Sequence, residues 1–113
     1  MTDAAAPPRT NRRISARRAC LLTVRYRAQK TWHPATALDV SADGCRLRLG
    51  EDLPRGSSVS VLFEAPLRDG ATALAAEAAG VVTWSRLEGL SHSVGIQFGA
   101  VPPAFYDLIE SIG

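Results

Sequence analysis

The sequence predicts an all-β protein, a six-stranded antiparallel β-barrel followed by one C-terminal α-helix. Three observations predict this fold. Apolar and polar residues alternate in short segments, as they do in strands that bury one face. Turn residues separate six such segments at regular intervals, which is typical of a closed barrel. After Pro102 and Pro103 the apolar period changes to that of an amphipathic helix.

The first three strands have the clearest alternation. The first covers residues 22–27, and the second covers residues 34–40 and ends in the polar, glycine-containing turn of residues 41–44. The third covers residues 45–49 and has two arginines on its polar face. The expected inward-facing residues are Leu22, Val24, Tyr26, Cys45, Leu47 and Leu49.

The remaining three strands are less uniform. Residues 54–56 form a turn before the fourth strand, and residues 66–70 form a loop after it. The fifth segment, residues 73–86, begins with alanines that also permit a helix, and β-branched residues favour a strand only in its second half. In that strand Val82 and Trp84 are expected to share one face. The expected inward-facing residues of the fourth and sixth strands are Val59, Val61, Phe63, Val94, Ile96 and Phe98.

The C-terminal helix is predicted over residues 103–112. Pro103 suits its first turn, where the missing N–H of proline leaves no helical bond unmade. The apolar stripe of the helix is assigned to the protein core rather than to a dimer interface, and the helix is expected to cap the barrel or pack on its side. The stripe consists of Phe105, Leu108, Ile109 and Ile112.

Length and composition predict one domain. With 113 residues, 46% of them hydrophobic, the chain can bury one core but not two. We expect a flexible tail, residues 1–11, and a domain, residues 12–113, that begins with a basic arm of residues 12–18. No apolar run is long enough to cross a bilayer, and the N-terminal residues lack the apolar centre of a secretion signal. A cytoplasmic protein without membrane insertion is therefore expected.

The sequence contains no recognisable catalytic or metal-binding motif. Cys20 and Cys45 lack CxxC spacing and are interpreted as buried small apolar residues rather than as a disulfide or a redox pair. Together with His33 and His92 they lack the spacing of zinc ligands, so neither a metal nor a cofactor is predicted. No histidine lies near Ser41 in sequence to act as a base, so the chain is not expected to be an enzyme.

Charge is distributed unevenly along the chain. Residues 1–30 contain eight Lys or Arg and one Asp, a net charge of +7. The remaining residues contain five basic and ten acidic side chains, a net charge of −5, which leaves +2 for the whole chain. A basic arm on an acidic body indicates an anionic partner, although such an arm can also serve only solubility.

Two short motifs border the predicted strands. The first is an RRxxxR pattern immediately before the first strand, formed by Arg12, Arg13 and Arg17. The second is a DxSxxG pattern between the second and third strands, formed by Asp39, Ser41 and Gly44. Each motif is weak by itself, because basic arms often contain arginine pairs and Asp, Ser and Gly form ordinary turns. Their order and their positions relative to the strands are specific.

With these motifs in place, the chain from residue 12 to residue 113 resembles the PilZ domain family. The resemblance includes the Val-Val-x-Trp segment of residues 81–84, the Gly-Ile-Gln-Phe segment of residues 95–98 and the closing helix. It implies a six-stranded barrel that is a receptor for cyclic di-GMP and has no catalytic activity. The chemistry agrees, because guanidinium groups bind both phosphate oxygens and the O6/N7 edge of guanine.

The resemblance assigns the arginines of the first motif to the ligand. Arg13 and Arg17 match the two arginines of the family's RxxxR pattern. Arg9 and Arg13 have the same spacing, but only the later pair is preceded by a second arginine and lies close to the first strand. Arg12 is the residue before that pair, a position that often contacts ligand in this family.

The second motif supplies complementary groups. Asp39 can accept hydrogen bonds from the N1–H and N2–H edge of guanine, which discriminates against adenine. Ser41 can donate to a phosphate or to N7, and Gly44 is expected to let the ligand approach the backbone closely. Trp84 either lines the binding surface or packs in the barrel. Further candidate contacts, each of which can also be simply solvated, are Arg18, Arg46 and Arg86.

The expected function is a cyclic di-GMP receptor whose N-terminal arm changes conformation on binding and signals to a partner protein. A ligand-independent PilZ-type adaptor is an alternative, although degenerate members of the family usually lack one of the two motifs. A small-barrel nucleic-acid binder is a second alternative, but that role usually needs exposed aromatic residues, and aromatic residues make up only 6% of this chain. The sequence identifies neither the partner, the ligand stoichiometry nor the oligomeric state.

Overall fold

A computed structural model describes residues 18–66 and 73–112 of the chain. The predicted tail, the arm residues 12–17 and all but the first residue of the predicted loop 66–70 lie outside the described residues. The described elements are six strands and one helix. They are β1 (Arg18–Arg27), β2 (His33–Val40), β3 (Gly44–Leu49), β4 (Ser58–Pro66), β5 (Ala73–Glu88), β6 (Ser91–Phe98) and α1 (Pro103–Ile112).

The six strands form a closed barrel in the order β1-β2-β3-β6-β5-β4. Every neighbouring pair is antiparallel, and the barrel closes where residues 25–27 of β1 pair with residues 60–62 of β4. The predicted all-β barrel with a C-terminal helix is therefore confirmed. Inside it, the alternating apolar side chains of each strand meet and exclude water, which is the main source of stability in such a fold.

β5 is a strand over its whole length, so the helical alternative for its alanine-rich start is wrong. Residues 73–81 pair continuously with residues 58–66 of β4, and Ala76 and Ala78 alternate into the core. Alanine favours a helix only as an intrinsic preference. Here the ladder with β4 and the burial of alternate residues override that preference.

α1 covers part of the core with its apolar stripe. Phe105, Leu108 and Ile109 are fully buried, and the helix packs on β4 and β5. The ring of Phe105 lies edge-on to those of Phe63 and Phe98, with both centroid distances at 5.3 Å. Such aromatic pairs stabilise by about 0.5–1.5 kcal/mol beyond the area that they bury. The assignment of the stripe to the core is confirmed for these three residues.

A β-bulge in β5 changes which face its later residues occupy. Val82 pairs with Ile96 and Trp84 pairs with Gly95, so Thr83 is an extra residue in β5. The side chains of Val82 and Trp84 consequently point to opposite faces, because one inserted residue reverses the alternation. Val82 is buried in the barrel, whereas Trp84 is 37% exposed on its outer surface. The prediction that these two residues share a face is wrong.

The two cysteines differ in burial. Cys45 is buried in the core, as predicted, but Cys20 is only half-buried and its Sγ lies 3.4 Å from the carbonyl oxygen of Ala37. Burial raises the pKa of the Cys20 thiol, and the charge of Asp39 raises it further.

Within residues 18–66 and 73–112, no helix has the length and hydropathy of a membrane span. The same ranges contain no group of three or more His, Cys, Asp or Glu side chains placed to share a metal ion.

Candidate functional site

The turn of the DxSxxG motif is closed by its own serine. The Ser41 backbone N–H donates to the carbonyl of Gly44 at 2.8 Å, and the Ser41 hydroxyl lies 3.4 Å from the same oxygen. The hydroxyl also accepts a hydrogen bond from the Asp43 N–H at 3.2 Å. Such bonds from serine to nearby backbone are typical of tight turns. Ser41 is 1% exposed, so its hydroxyl faces the turn and not the solvent.

Gly44 is required by a close approach of two strands. A Cβ at this position would lie 2.1 Å from the carbonyl oxygen of Ile96, a distance that real Cβ atoms do not show. The turn is also bonded to β6 because the Phe98 N–H donates to the Asp43 carbonyl at 2.8 Å. Gly44 therefore makes a close backbone contact with β6 of the barrel itself, and the expected approach of the ligand to this glycine stays a prediction.

Four strands bring the predicted site residues into one row across the outside of the barrel. Asp39 of β2 pairs with Arg46 of β3, Arg46 pairs with Gly95 of β6, and Gly95 pairs with Trp84 of β5. We call these four residues the transverse row. Adjacent strands lie about 4.8 Å apart, so the row is about 14 Å wide. It has a carboxylate at one end and an indole at the other.

Asp39 and Arg46 form a loose ion pair. Arg46 Nε lies 3.3 Å from Asp39 Oδ2, and the side chains are 42% and 21% exposed, respectively. The Nε–H itself is buried, yet it makes no hydrogen bond to any group in the described part of the chain. The 3.3 Å contact thus counts as an ion pair but lacks the alignment of a hydrogen bond. Ion pairs of this exposure stabilise proteins by only about 0.2–1 kcal/mol.

Trp84 lies directly over Gly95. A Cβ on Gly95 would be 2.0 Å from the indole Nε1, so the ring occupies the space that any other side chain would fill. The Thr83 hydroxyl donates to the Gly95 carbonyl at 3.3 Å and ties the bulge to β6. Of the two expectations for Trp84, packing inside the barrel is wrong, because the ring lies on the outer surface. A shallow cleft of about 350 Å³ beside the ring is also lined by Asp43 and Gln97.

Arg86 is held beside the indole by an acidic neighbour. Its guanidinium carbon lies 5.4 Å from the centroid of the Trp84 ring, and its Nη2 lies 2.9 Å from Glu88 Oε2. The other carboxylate oxygen of Glu88 accepts a hydrogen bond from the Ser93 hydroxyl at 2.5 Å. That bond, followed by the positive charges of Arg86 and Arg46, lowers the pKa of Glu88. Arg86 therefore contacts both the indole and Glu88 although its side chain is 61% exposed, and its contact with the ligand stays a prediction.

The structure brings together the described members of the predicted site. Asp39, Arg46, Trp84 and Arg86 share one outer face, and Ser41 and Gly44 form the adjoining turn. Arg18 pairs with Val40 at the start of β1, and its side chain is outside the described part. The remaining predicted contacts, which lie outside the described residues, are Arg12, Arg13 and Arg17.

Four residues that bond to or pack against this face were not predicted from the sequence as part of the site. They are Thr83, Glu88, Ser93 and Gly95. Gly95 had a detectable signal, because a glycine within an alternating strand often marks a bulge or a close approach. The roles of the other three depend on strand register, which the alternation of residues does not define.

The described part of the chain also has two larger cavities. One, of about 800 Å³, is lined by residues 28–31, 33, 51–54, 57 and 58, and the other, of about 580 Å³, is lined by residues 27–29, 58–60, 79–81 and 97–99. Neither contains a residue of the two motifs. We place the candidate site on the outer face because the charged, aromatic and motif residues meet there, although the local cleft is smaller.

Sequence comparison assigns most of the chain to one protein family. The sequence matches the PilZ domain over residues 11–112. The chain belongs to the PilZ domain family. The match includes both motifs, all six strands and the helix, and it begins one residue before the arginine motif. No curated protein matches the PilZ chain described here.

Solved structures with the same fold are distant in sequence. The Bacillus subtilis inhibitor of motility, MotI/DgrA, has a TM-score of 0.70 at 14% identity, over 82% of this PilZ chain and 45% of its own. A tetrameric PilZ protein from Xanthomonas campestris has a TM-score of 0.51 at 23% identity, over 74% and 46% of the two chains. Borreliella burgdorferi PlzA, solved in complex with c-di-GMP, has a TM-score of 0.51 at 14% identity, over 80% and 42%. The chain thus spans less than half the length of each.

Proposed function

We propose that this PilZ domain is a receptor for cyclic di-GMP, which it binds on the transverse row. The observation that carries the proposal is the row itself, because Asp39 of the DxSxxG motif, Arg46 and Trp84 meet on one outer face although they are distant in sequence. The PilZ relative PlzA was solved in complex with the same dinucleotide. Catalytic activity forms no part of the proposed role.

Each end of the row suits a guanine base, and the dinucleotide has two such bases. The Asp39 carboxylate is partly exposed and can accept the N1–H and N2–H donors of the base, which adenine does not offer in the same arrangement. The indole of Trp84 is 37% exposed and can stack on a base, an interaction worth about 1–3 kcal/mol per base. The arginines contribute contacts to phosphate oxygens and to the O6/N7 edge.

In this proposal the serine and glycine of the motif set the shape of the surface. Ser41 was expected to donate to the ligand, but its hydroxyl is buried in the turn and bonded to backbone groups there. Gly44 permits the contact between β3 and β6 that brings Arg46 beside Gly95. Both residues therefore support the position of Asp39, and we assign the direct ligand contacts to the neighbouring side chains.

The RRxxxR motif is proposed to cover the bound ligand. Arg17 is covalently bonded to Arg18, whose partner Val40 is the residue after Asp39. Consecutive Cα atoms are about 3.8 Å apart, so the arm joins the barrel beside the motif turn. We further propose that Arg12, Arg13 and Arg17 close over the dinucleotide and change the charge of this face, and that a partner protein detects the change.

Calorimetric titration tests the receptor function. Purified protein is titrated with cyclic di-GMP, cyclic di-AMP and GTP, and cyclic di-GMP is then titrated into Arg17→Ala and Asp39→Ala variants. Each removes a charge-assisted bond, so each is expected to weaken binding about 10- to 100-fold. The matched controls, Arg55→Ala and Glu64→Ala, remove the same charges from exposed sites outside the row and should bind normally.

The outcomes separate the receptor from its alternatives. No heat and no change in melting temperature with cyclic di-GMP at about 100 μM, a regime weaker than about −5 to −6 kcal/mol, would leave the ligand-independent adaptor as the better assignment. Binding of oligonucleotides with a steep dependence on salt would instead favour a nucleic-acid binder.

Hydrogen exchange tests the conformational part of the proposal. Amides of residues 12–18 should become more protected when the protein is saturated with cyclic di-GMP, because closure over the ligand shields them from solvent. Amides of α1 serve as the internal control, since the helix packs on β4 and β5. Unchanged protection of the arm in a saturated sample would remove the conformational signal from the proposed function.

A further inference from the structure

We propose that Gly95 is a positioning residue for ligand binding, because it forms the seat that fixes the Trp84 indole on the transverse row. This inference rests on the proposed cyclic di-GMP receptor function. Gly95 itself is buried and has no side chain to contact a ligand. Its effect is exerted through Trp84, whose ring lies in the space above it.

The bulge at Thr83 is what brings the indole to the outer face. Up to Val82, alternate residues of β5 point into the barrel, and uninterrupted alternation would direct residue 84 inward as well. The extra residue reverses the order, so that Trp84 faces outward opposite Gly95. A large aromatic side chain, which would otherwise add to the core, is therefore presented to solvent beside Arg46 and Asp39.

The seat accepts only glycine. A Cβ on Gly95 would lie 2.0, 2.4 and 2.7 Å from three atoms of the indole, namely Nε1, Cε2 and Cδ1. All three distances are shorter than real Cβ contacts, and they involve a rigid ring. Any other residue must therefore push the ring away from β6. The substitution would therefore change the position of the ring rather than the packing of the core, because the indole packs against backbone here and not among core side chains.

Arg86 also contacts the indole. Its guanidinium lies 5.4 Å from the ring centroid, and Glu88 holds it there through a 2.9 Å ion pair. Ser93 in turn donates a hydrogen bond to Glu88. A ring that packs against a backbone seat loses less freedom when a base stacks on it, which favours tighter binding. We infer that the seat converts an exposed tryptophan into a preorganised stacking surface.

A double-mutant cycle tests the inference. Affinity for cyclic di-GMP is measured for the full chain and for Trp84→Ala, Gly95→Ala and the doubly substituted protein. Removing the stacking surface is expected to weaken binding about tenfold, within the range measured for a single base–aromatic contact. Gly95→Ala should cause a similar loss by displacing the ring. In the Trp84→Ala background, Gly95→Ala should cause no further loss, since no ring remains to be displaced.

The matched control is Gly99→Ala. Gly99 is exposed, and its added Cβ would meet only the Ala79 carbonyl oxygen at an ordinary 4.0 Å. Its affinity should equal that of the unchanged protein. Equal losses from Gly95→Ala in both backgrounds would mean a general disturbance of the sheet and would overturn the inference, as would unchanged affinity in Gly95→Ala.

Fluorescence distinguishes failure of this inference from failure of the receptor function. The chain contains two tryptophans, so Trp32→Phe leaves Trp84 as the single reporter. In that background Gly95→Ala should shift the emission of Trp84 to longer wavelength, because the displaced ring becomes more exposed. If the unchanged protein binds no cyclic di-GMP, the receptor function fails and the inference fails with it. If it binds and either the cycle or the emission shift is absent, only the inference fails.

Discussion

The core under α1 and the transverse row use aromatic residues in opposite ways. Phe63, Phe98 and Phe105 are buried, and each ring lies edge-on to the other two at centroid distances of 5.3–6.3 Å. Trp84 lies on the outer surface, restrained on one side by backbone and on another by an arginine. The phenylalanines pack against one another, whereas the tryptophan remains 37% exposed.

The difference indicates that the stabilising core and the proposed binding site occupy separate parts of one small barrel. Burial of apolar surface is cooperative and non-directional, so the core contributes most of the folding free energy. The row contains a loose ion pair, an Nε–H without a hydrogen bond in the described part and an exposed ring. Such groups add little to the free energy of unfolding, and they can still make contacts with a ligand. Substitutions in the core should therefore lower the melting temperature, whereas substitutions in the row should mainly lower the affinity for the ligand.

The largest effect is expected for Phe105→Ala in the core. Removing a fully buried phenylalanine from the aromatic cluster should lower the free energy of unfolding by about 3–5 kcal/mol, a large part of the total for a domain of this size. Urea unfolding followed by circular dichroism measures the change. Tyr106→Ala, on the exposed side of the same helix, is the control and should cost about 1 kcal/mol or less. Equal losses in the two variants would contradict the location of the core.

A smaller effect is expected for Gly44→Ala. The added Cβ would press on the Ile96 carbonyl and push β3 from β6, at a cost of about 1–3 kcal/mol of stability. Gly50→Ala is the control, because nothing lies within 4 Å of its added Cβ. Thermal unfolding compares the two variants. Lost affinity with full stability in Gly44→Ala would instead show that this glycine acts by direct approach of the ligand.

Tyr26 gives a pH-dependent test of the barrel interior. Its hydroxyl donates to Glu51 Oε2 at 2.5 Å, and burial, reinforced by that bond, raises the pKa of the phenol well above its ordinary value of 10.0. A raised pKa in the folded state adds stability that is complete below pH 10 and is lost as pH rises above it, because only the unfolded chain then releases the proton. Tyr26→Phe should cost about 1 kcal/mol at neutral pH.

The pH dependence of stability in Tyr26→Phe and in the unchanged protein separates the effect of tyrosine ionisation from that of the lost hydrogen bond. Above pH 10 the unchanged protein should lose stability more steeply than Tyr26→Phe, and the two unfolding curves should converge. Denaturant midpoints measured from pH 7 to pH 11 check this. Tyr106→Phe is the control and should keep the steep loss of the unchanged protein. Parallel curves for Tyr26→Phe and the unchanged protein would refute the assignment.

The smallest effect is expected for the ion pair of the transverse row. The coupling free energy between Asp39 and Arg46, measured by a double-mutant cycle to alanine, should be about 0.2–1 kcal/mol, because both side chains are partly exposed. It should decline as salt approaches about 1 M, where screening acts over about 3 Å. Arg48→Ala, on the same strand and exposed, controls for the removal of an arginine. A coupling of several kcal/mol would contradict the separation of stability from binding.

Most of the strands could be predicted because their faces are chemically different. Leu47 and Leu49 alternate with arginines, and both leucines are buried as expected. The start of β5 was ambiguous, because a run of alanines has no strong alternation, and only its ladder with β4 makes it a strand. The face of Trp84 was predicted incorrectly, because a bulge is defined by the pairing with β6 and leaves no mark in the period of β5.

The sequence by itself determined the barrel class, the closing helix and the membership of the PilZ family. Alternation, turn residues and motif order are local, and local patterns can be recognised along one chain. Only the tertiary structure decided that Asp39, Arg46, Gly95 and Trp84 share a row, that Ser41 bonds within its turn and that Gly44 meets β6. These facts depend on the register between distant strands. A shift of one residue in that register would move each side chain to the other face of the barrel.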